Sequence, residues 1–232
     1  MTALQQLAPD AIAALIDHTI LRADATRGDV VRVCAEALEN GFASVCVNSY
    51  WIPVVTAELA GSSVSPCAAV GFPLGAMSTE AKLAETQAAL RDGAREIDMM
   101  LNIGALRDGD FATVRSDIDA LVCVCHRQHA LLKVILETAL LTDTEKRSAC
   151  LLAKTAHADF VKTSTGFGTS GATVADVRLM RESVGSEVRV KASGGIRTLT
   201  DLLAMVEAGA DRIGTSAGVA IVTAARAGGA HA

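Results

Sequence analysis

Four charged residues stand inside otherwise apolar, strand-like runs: Asp98 in EIDMML, Lys133 in LLKVILE, Lys162 in DFVKTSTG and Lys191 in RVKASGG. Burying an unpaired charge is costly, so each needs either a partner or a chemical task. Lys162 and Lys191 occupy matching places in consecutive runs, each just ahead of a glycine turn. Neighbouring strands lie about 5 Å apart, so two inward-facing lysines there are forced together. A free lysine titrates near 10.4 and is a poor nucleophile at neutral pH, but a second ammonium and loss of water both disfavour the charged form. Bringing it to about 7 takes on the order of 4 kcal/mol of differential interaction. An amine so prepared can attack a carbonyl and form a Schiff base. The plainer reading is a structural network in which Asp98, Glu96 and Glu137 neutralise Lys133, Lys162 and Lys191. Two lysines on consecutive strands, both leading into glycine turns, favour catalysis.

The turns themselves suggest an anion. STGFGTSG (164–171), SGGIRT (193–198) and GTSAG (214–218) follow the last three strand-like runs. Glycine lets main-chain N–H groups approach a ligand closely, and a helix N-terminus adds partial positive charge. Gly194, Gly195, Gly214 and Ser216 are therefore phosphate-site candidates, with Gly166 closing one side. Any single glycine is more simply a turn residue, but three such turns in succession tip the balance. Asp17 and Thr19 on the first run, Cys46 on the second and Lys133 on the fifth are further candidates for lining the site, and His18 for lining its mouth. The segment from Gly166 to Gly171 also fits GxGxxG, yet it is sixth in line and a lysine precedes it, which argues against a dinucleotide site.

Composition bounds the rest. A net charge of −5 leaves no electrostatic footprint for nucleic acid or an anionic membrane. The six cysteines are scattered without a CxxC pair, so reduced thiols in a cytoplasmic protein are expected, with no metal site and no cofactor. Neither a signal peptide nor a membrane-spanning run is evident.

The elements that must position these residues alternate. Strand-like runs fall at 15–20, 43–48, 65–70, 95–101, 131–137, 159–164, 188–193 and 211–215. Helical stretches fall near 28–40, 51–60, 78–92, 110–129, 142–156, 172–184, 199–208 and 217–226. Thr142 with Glu145 forms a capping box, Ser78 with Ala81 makes a weaker start, and Gly41, Gly93 and Gly209 stand where helices should stop. Eight β-then-α units at about 28 residues each predict a single (β/α)8 barrel, an α/β TIM-barrel domain spanning 1–232, with an extra N-terminal helix over 3–14.

Eight segments in order, IDHTIL, VCVNSYWIPV, VGFPLGAM, EIDMMLNIGAL, LLKVILETALLT, VKTSTGFGTSGAT, VKASGGIRT and RIGTSAG, resemble the deoxyribose-phosphate aldolase family from about residue 12 to 222. The resemblance implies a lyase that reversibly cleaves 2-deoxy-D-ribose 5-phosphate to D-glyceraldehyde 3-phosphate and acetaldehyde without metal. It also implies that Lys162 forms the Schiff base, Lys191 tunes it and Asp98 takes part in proton relay. Partners implied are small phosphosugars and aldehydes, and a second copy of the chain in a dimer or tetramer. Two departures stand out: Ala217 replaces a second serine after Ser216, and the chain ends GGAHA with no terminal tyrosine, Tyr50 being its only one. The alternatives are another class I phosphosugar aldolase and a non-catalytic phosphosugar-binding barrel.

Overall fold

In the computed structural model, which describes residues 7–229, eight parallel strands close into one barrel in sequence order. The strands are β1 (Ile16–Ile20), β2 (Ser44–Asn48), β3 (Ser65–Val70), β4 (Glu96–Met100), β5 (Leu131–Ile135), β6 (Phe160–Lys162), β7 (Arg189–Ser193) and β8 (Arg212–Thr215). Around them run α1 (Pro9–Ala13), α2 (Arg27–Asn40), α3 (Ile52–Glu58), α4 (Thr79–Arg91), α5 (Ile103–Arg107), α6 (Phe111–Arg127), α7 (Asp143–Thr155), α8 (Val174–Val184), α9 (Leu199–Glu207) and α10 (Gly218–Gly229). This is the (β/α)8 barrel that the alternation of elements predicts. The expected leading helix is seen as α1, while residues 3–6 of its expected span and the tail at 230–232 lie outside the described residues.

Local chemistry starts and stops the helices. Thr26 with Asp29, Thr142 with Glu145 and Thr198 with Asp201 form reciprocal capping boxes, and Ser78 accepts from the Ala81 N–H. Gly41 ends α2 in the left-handed conformation, at φ +69°. Two strands end two residues earlier than expected. β5 ends before residue 137 because Glu137 adopts a left-handed backbone, φ +55°. β6 ends at Lys162, where the chain begins to lift into the first glycine turn. The short α5, capped by Asn102, was not expected, since five residues carry too little periodicity to be read.

Side chains alternate across each strand, and the two faces have different jobs. Residues such as Val45, Val47, Ala68, Val70, Ile97, Met99, Leu132, Val134, Val161, Val190, Ala192 and Ile213 join the apolar layer beneath the helices. The opposite parity contains Asp17, Cys46, Cys67, Asp98, Lys133, Lys162 and Lys191, all buried. Barrel closure therefore gathers the charged residues along the axis. The register sets Asp98 opposite Lys133 and Lys162 opposite Lys191.

Candidate active site

The axial charges form a closed, alternating set. One oxygen of Asp98, Oδ2, lies 2.7 Å from Lys162 Nζ and 2.7 Å from Lys191 Nζ. The two amines are therefore no more than twice that distance apart. The other oxygen, Oδ1, lies 2.8 Å from Lys133 Nζ, which is also 2.5 Å from Glu96 Oε2. Asp17 takes Lys191 at 2.5 Å and Arg212 at 2.6 Å, and Arg212 reaches Glu96 at 3.4 Å. Four cations thus face three carboxylates, leaving one positive charge in excess. At the base of the barrel the Phe160 ring lies under Arg189, with Lys133 and Arg212 also near its face.

Environment fixes the ionisation of Asp98, Asp17, Lys191 and Lys133. Burial alone would raise the Asp98 carboxyl, but Lys133, Lys162 and Lys191 together outweigh it and hold it well below the usual carboxylate range. Asp17 is lowered in the same way against its own burial, by Lys191, Lys133 and Arg212. Burial would lower Lys191, yet Asp17 and Asp98 overcome it and keep this lysine an ammonium well into alkaline pH. Lys133 is likewise pushed up against burial, chiefly by Asp98. The picture of two lysines repelling each other directly is thus corrected. A carboxylate stands between them, and Lys191 is held by two carboxylates, Asp17 and Asp98.

Above this layer, a cleft of about 450 Å³ opens at the C-terminal ends of the strands. Lys162 lies at its floor, 2% exposed, the one lysine among the residues lining it. The three glycine turns form the walls: Gly166, Gly194, Gly195, Gly214 and Ser216 all line it, as does Thr19. The turns are laced together by hydroxyls. Ser193 Oγ donates to the Ser164 carbonyl at 2.6 Å, and Thr215 Oγ1 donates to the Ile196 carbonyl at 2.7 Å. Ser216 leads into α10, whose N-terminal end adds partial positive charge. The N–H of Ala217 is already given to Thr215 Oγ1 at 2.9 Å. Anion donors must therefore come from its neighbours.

Gly214 has a second reason to lack a side chain. A Cβ there would sit 3.1 Å from Lys191 Cε and 2.9 Å from Ser193 Cβ, so its absence makes room for the buried lysine. Asp17, Cys46 and Lys133 do not line the cleft, contrary to expectation, but lie in the layer below it. The structure likewise places Lys191 and Asp98 beneath Lys162, not in the cleft wall. Lys133 is engaged by carboxylates on both sides, which answers whether it sits in the site or pairs beneath it. Glu137, offered in the plainer reading as a neutraliser of lysine, instead accepts from the Thr165 N–H at 3.3 Å and, closely, from the Thr165 hydroxyl. It anchors the turn that carries Gly166 and Phe167.

Sequence reasoning also passed over Ser193, Thr165 and Arg197 in the cleft wall. Ser193 and Arg197 stand within SGGIRT, a motif whose glycines alone carry the expectation of an anion site. His18 lines the wall as well, its Nε2 2.6 Å from Glu36 Oε2.

Among the described residues, one group brings together donors close enough for a metal: Cys46, Cys67 and Asp98, with ligand atoms within 4.8 Å of one another. Three lysine amines already sit on Asp98 and a metal cation would have to displace them. A hydrogen bond from Cys67 holds the Cys46 thiol below its ordinary value, whereas burial pushes Cys67 well up. Burial also pushes Cys34, Cys125 and Cys150 up to about 12, which makes them poor nucleophiles.

Comparison with known proteins points the same way as this geometry. Residues 11–225 match the DeoC/LacD family of aldolases. A deoxyribose-phosphate aldolase of Thermococcus gammatolerans is 56% identical over 217 residues, covering 93% of this chain and 96% of that one. One of Brevibacillus brevis is 55% identical over 217 residues, covering 92% and 96%. Among solved structures, the deoxyribose phosphate aldolase of Aeropyrum pernix, described as a tetramer, superposes with a TM-score of 0.90 at 33% identity, covering 96% of this chain and 94% of that one. No helix among the described residues is long and apolar enough to cross a membrane.

Proposed function

Because the chain belongs to the DeoC/LacD family of aldolases, we propose that it is a lyase reversibly cleaving 2-deoxy-D-ribose 5-phosphate to D-glyceraldehyde 3-phosphate and acetaldehyde. The observation that carries the residue roles is the shared oxygen of Asp98, 2.7 Å from both Lys162 and Lys191, directly beneath a cleft walled by glycine turns. Lys162 is the nucleophile, because among these amines it alone reaches the cleft.

The steps follow from that arrangement. Neutral Lys162 attacks the C1 aldehyde of the open-chain sugar, and loss of water leaves an iminium. Asp98, held ionised, accepts the proton of the C3 hydroxyl through an intervening water, since it lies below the cleft. The C2–C3 bond then breaks. Its electron pair moves toward the iminium to give an enamine, and C3 becomes the aldehyde carbon of glyceraldehyde 3-phosphate. Protonation of the enamine at C2 and hydrolysis release acetaldehyde and the free lysine. Lys191, kept as an ammonium, supplies positive charge across Asp98 Oδ2 from Lys162 and so tunes it. The phosphate is held by Gly194, Gly195 and Ser216, with Gly166 and Gly214 shaping the pocket.

The substrate is a small phosphosugar. The assembly is a homo-oligomer, in keeping with the tetramer described for the Aeropyrum pernix relative. A cytoplasmic place suits six unbridged cysteines.

The test is mass spectrometry after incubation with acetaldehyde and a reducing hydride near neutral pH. One reduced adduct is expected on Lys162, absent in Lys162→Ala. A folded protein with no adduct would remove the aldolase reading and favour a binding barrel. Release of acetaldehyde from the deoxysugar phosphate separates this activity from other class I phosphosugar aldolases.

A further inference from the structure

Lys162, Asp98, Lys133, Glu96, Arg212, Asp17 and Lys191 form a connected set of charges. Asp98 touches all three lysines, and Glu96 and Asp17 pass the contacts on to Arg212 at the base of the barrel. Glu96 and Arg212 lie outside the cleft and beyond reach of a ligand in it. Each touches a group that itself touches Asp98 or Lys191, and nothing apolar interrupts the chain of contacts. We infer that Glu96 and Arg212 are positioning residues that set, from the base of the barrel, the pH at which Lys162 becomes a nucleophile.

The inference rests on the aldolase reading and on the balance of charge in the ring. Four cations against three carboxylates leave one surplus positive charge. Lys162 is the member that opens to the cleft and can release its proton there, which brings the ring to neutrality. The other groups around it are Asp98 and Glu96 from β4, Lys133 from β5, Lys191 from β7, Asp17 from β1 and Arg212 from β8, with the Cys46 and Cys67 thiols from β2 and β3; His18, Arg22, Arg32, Glu36 and Arg197 line the cleft above, and the substitutions leave them unchanged. Arg189, stacked on Phe160, and Glu137, engaged by Thr165, stand at the ends of this set. Removing the charge of Glu96 makes the surplus two, so Lys162 gives up its proton more readily. Removing the charge of Arg212 makes the surplus zero, so Lys162 holds its proton more firmly. Buried charges in an effective dielectric near 20 still act over about 10 Å, enough to move the titration by about one pH unit.

The two substitutions must therefore shift activity in opposite directions. The acid limb of kcat/KM for the deoxysugar phosphate, and the acid limb of hydride-trapped adduct formation with acetaldehyde, are measured together. Glu96→Gln should move both limbs about one pH unit lower, and Arg212→Gln about one unit higher. The double variant restores a surplus of one and should return the limbs close to those of the unchanged protein. Arg212→Lys keeps the charge and should leave the limbs in place, so Arg212→Gln against Arg212→Lys decides the matter even where Glu96→Gln does not accumulate as folded protein. Folded variants whose limbs stay put, or shift in one common direction, would overturn the inference. Absence of any Lys162 adduct in the unchanged protein would instead overturn the aldolase reading beneath it.

Discussion

Replacing Asp98 by Asn separates two roles that the geometry gives to one carboxylate. The change keeps the shape but removes the negative charge from beneath three lysine amines at 2.7, 2.7 and 2.8 Å. Taking one partner from a buried ion pair costs about 3–5 kcal/mol. Here Lys133 keeps Glu96 and Lys191 keeps Asp17, so the loss falls mainly on Lys162, for which Asp98 is the one carboxylate within 4.0 Å among the described residues. Lys162 reaches the cleft and can shed its proton, which limits the cost to about 3 kcal/mol, or roughly 10 °C in Tm for a chain of this size. Chemistry suffers more. Loss of a positioned proton acceptor lowers turnover by about 10²–10⁴-fold. Schiff-base formation moves the other way, because the carboxylate that stabilises the Lys162 ammonium is gone. Asp98→Asn should therefore still yield the hydride-trapped adduct with acetaldehyde, and at lower pH, while cleaving the deoxysugar phosphate very slowly. Turnover near the level of the unchanged protein would refute the relay role. Loss of the adduct in step with turnover, in a folded variant, would show that Asp98 serves to prepare the amine.

Glu137→Gln presents an amide where the Thr165 N–H and hydroxyl both need an acceptor, at a cost of about 1–3 kcal/mol and some order in the turn bearing Gly166. KM for the phosphosugar should rise several-fold with kcat less affected, and trapping with acetaldehyde, which carries no phosphate, should persist; trapping that falls together with turnover would assign Glu137 to the chemistry itself. Asp17 and Asp98 both have folded-state values depressed below the ordinary carboxylate, so the stability they contribute is full above about pH 4 and is lost as pH falls through their folded values. Circular dichroism should accordingly show acid unfolding only below about pH 4, and a transition complete by pH 5 would contradict that ionisation. Lys133 and Lys191 are raised, so their contribution is full below about pH 10.4 and drains only as pH climbs through their folded values.

The barrel was legible because its evidence is local. Capping residues such as Thr142 with Glu145, stops such as Gly41 and short β-branched runs all act within a few residues of where they stand. Charges at Asp98, Lys133, Lys162 and Lys191 were legible as anomalies for the same reason, each breaking an apolar run. What could not be read locally is which charge neutralises which. Asp98 and Lys191 are 93 residues apart in sequence, and Asp17 and Arg212 are 195 apart. Those contacts exist only because β1 closes against β8, setting Asp17 beside Gly214. Closure also explains why Gly214 was assigned to the anion alone: its missing Cβ accommodates Lys191, a neighbour that only the β7–β8 pairing brings near. Glu137 escaped for a related reason, since its backbone leaves the strand just where its carboxylate turns to Thr165, 28 residues on. A strand-borne charge thus announces from sequence that a site exists. Its chemistry is decided by the count of opposite charges that closure gathers around it, and here that count leaves one cation over, with Lys162 the member placed to give up its proton.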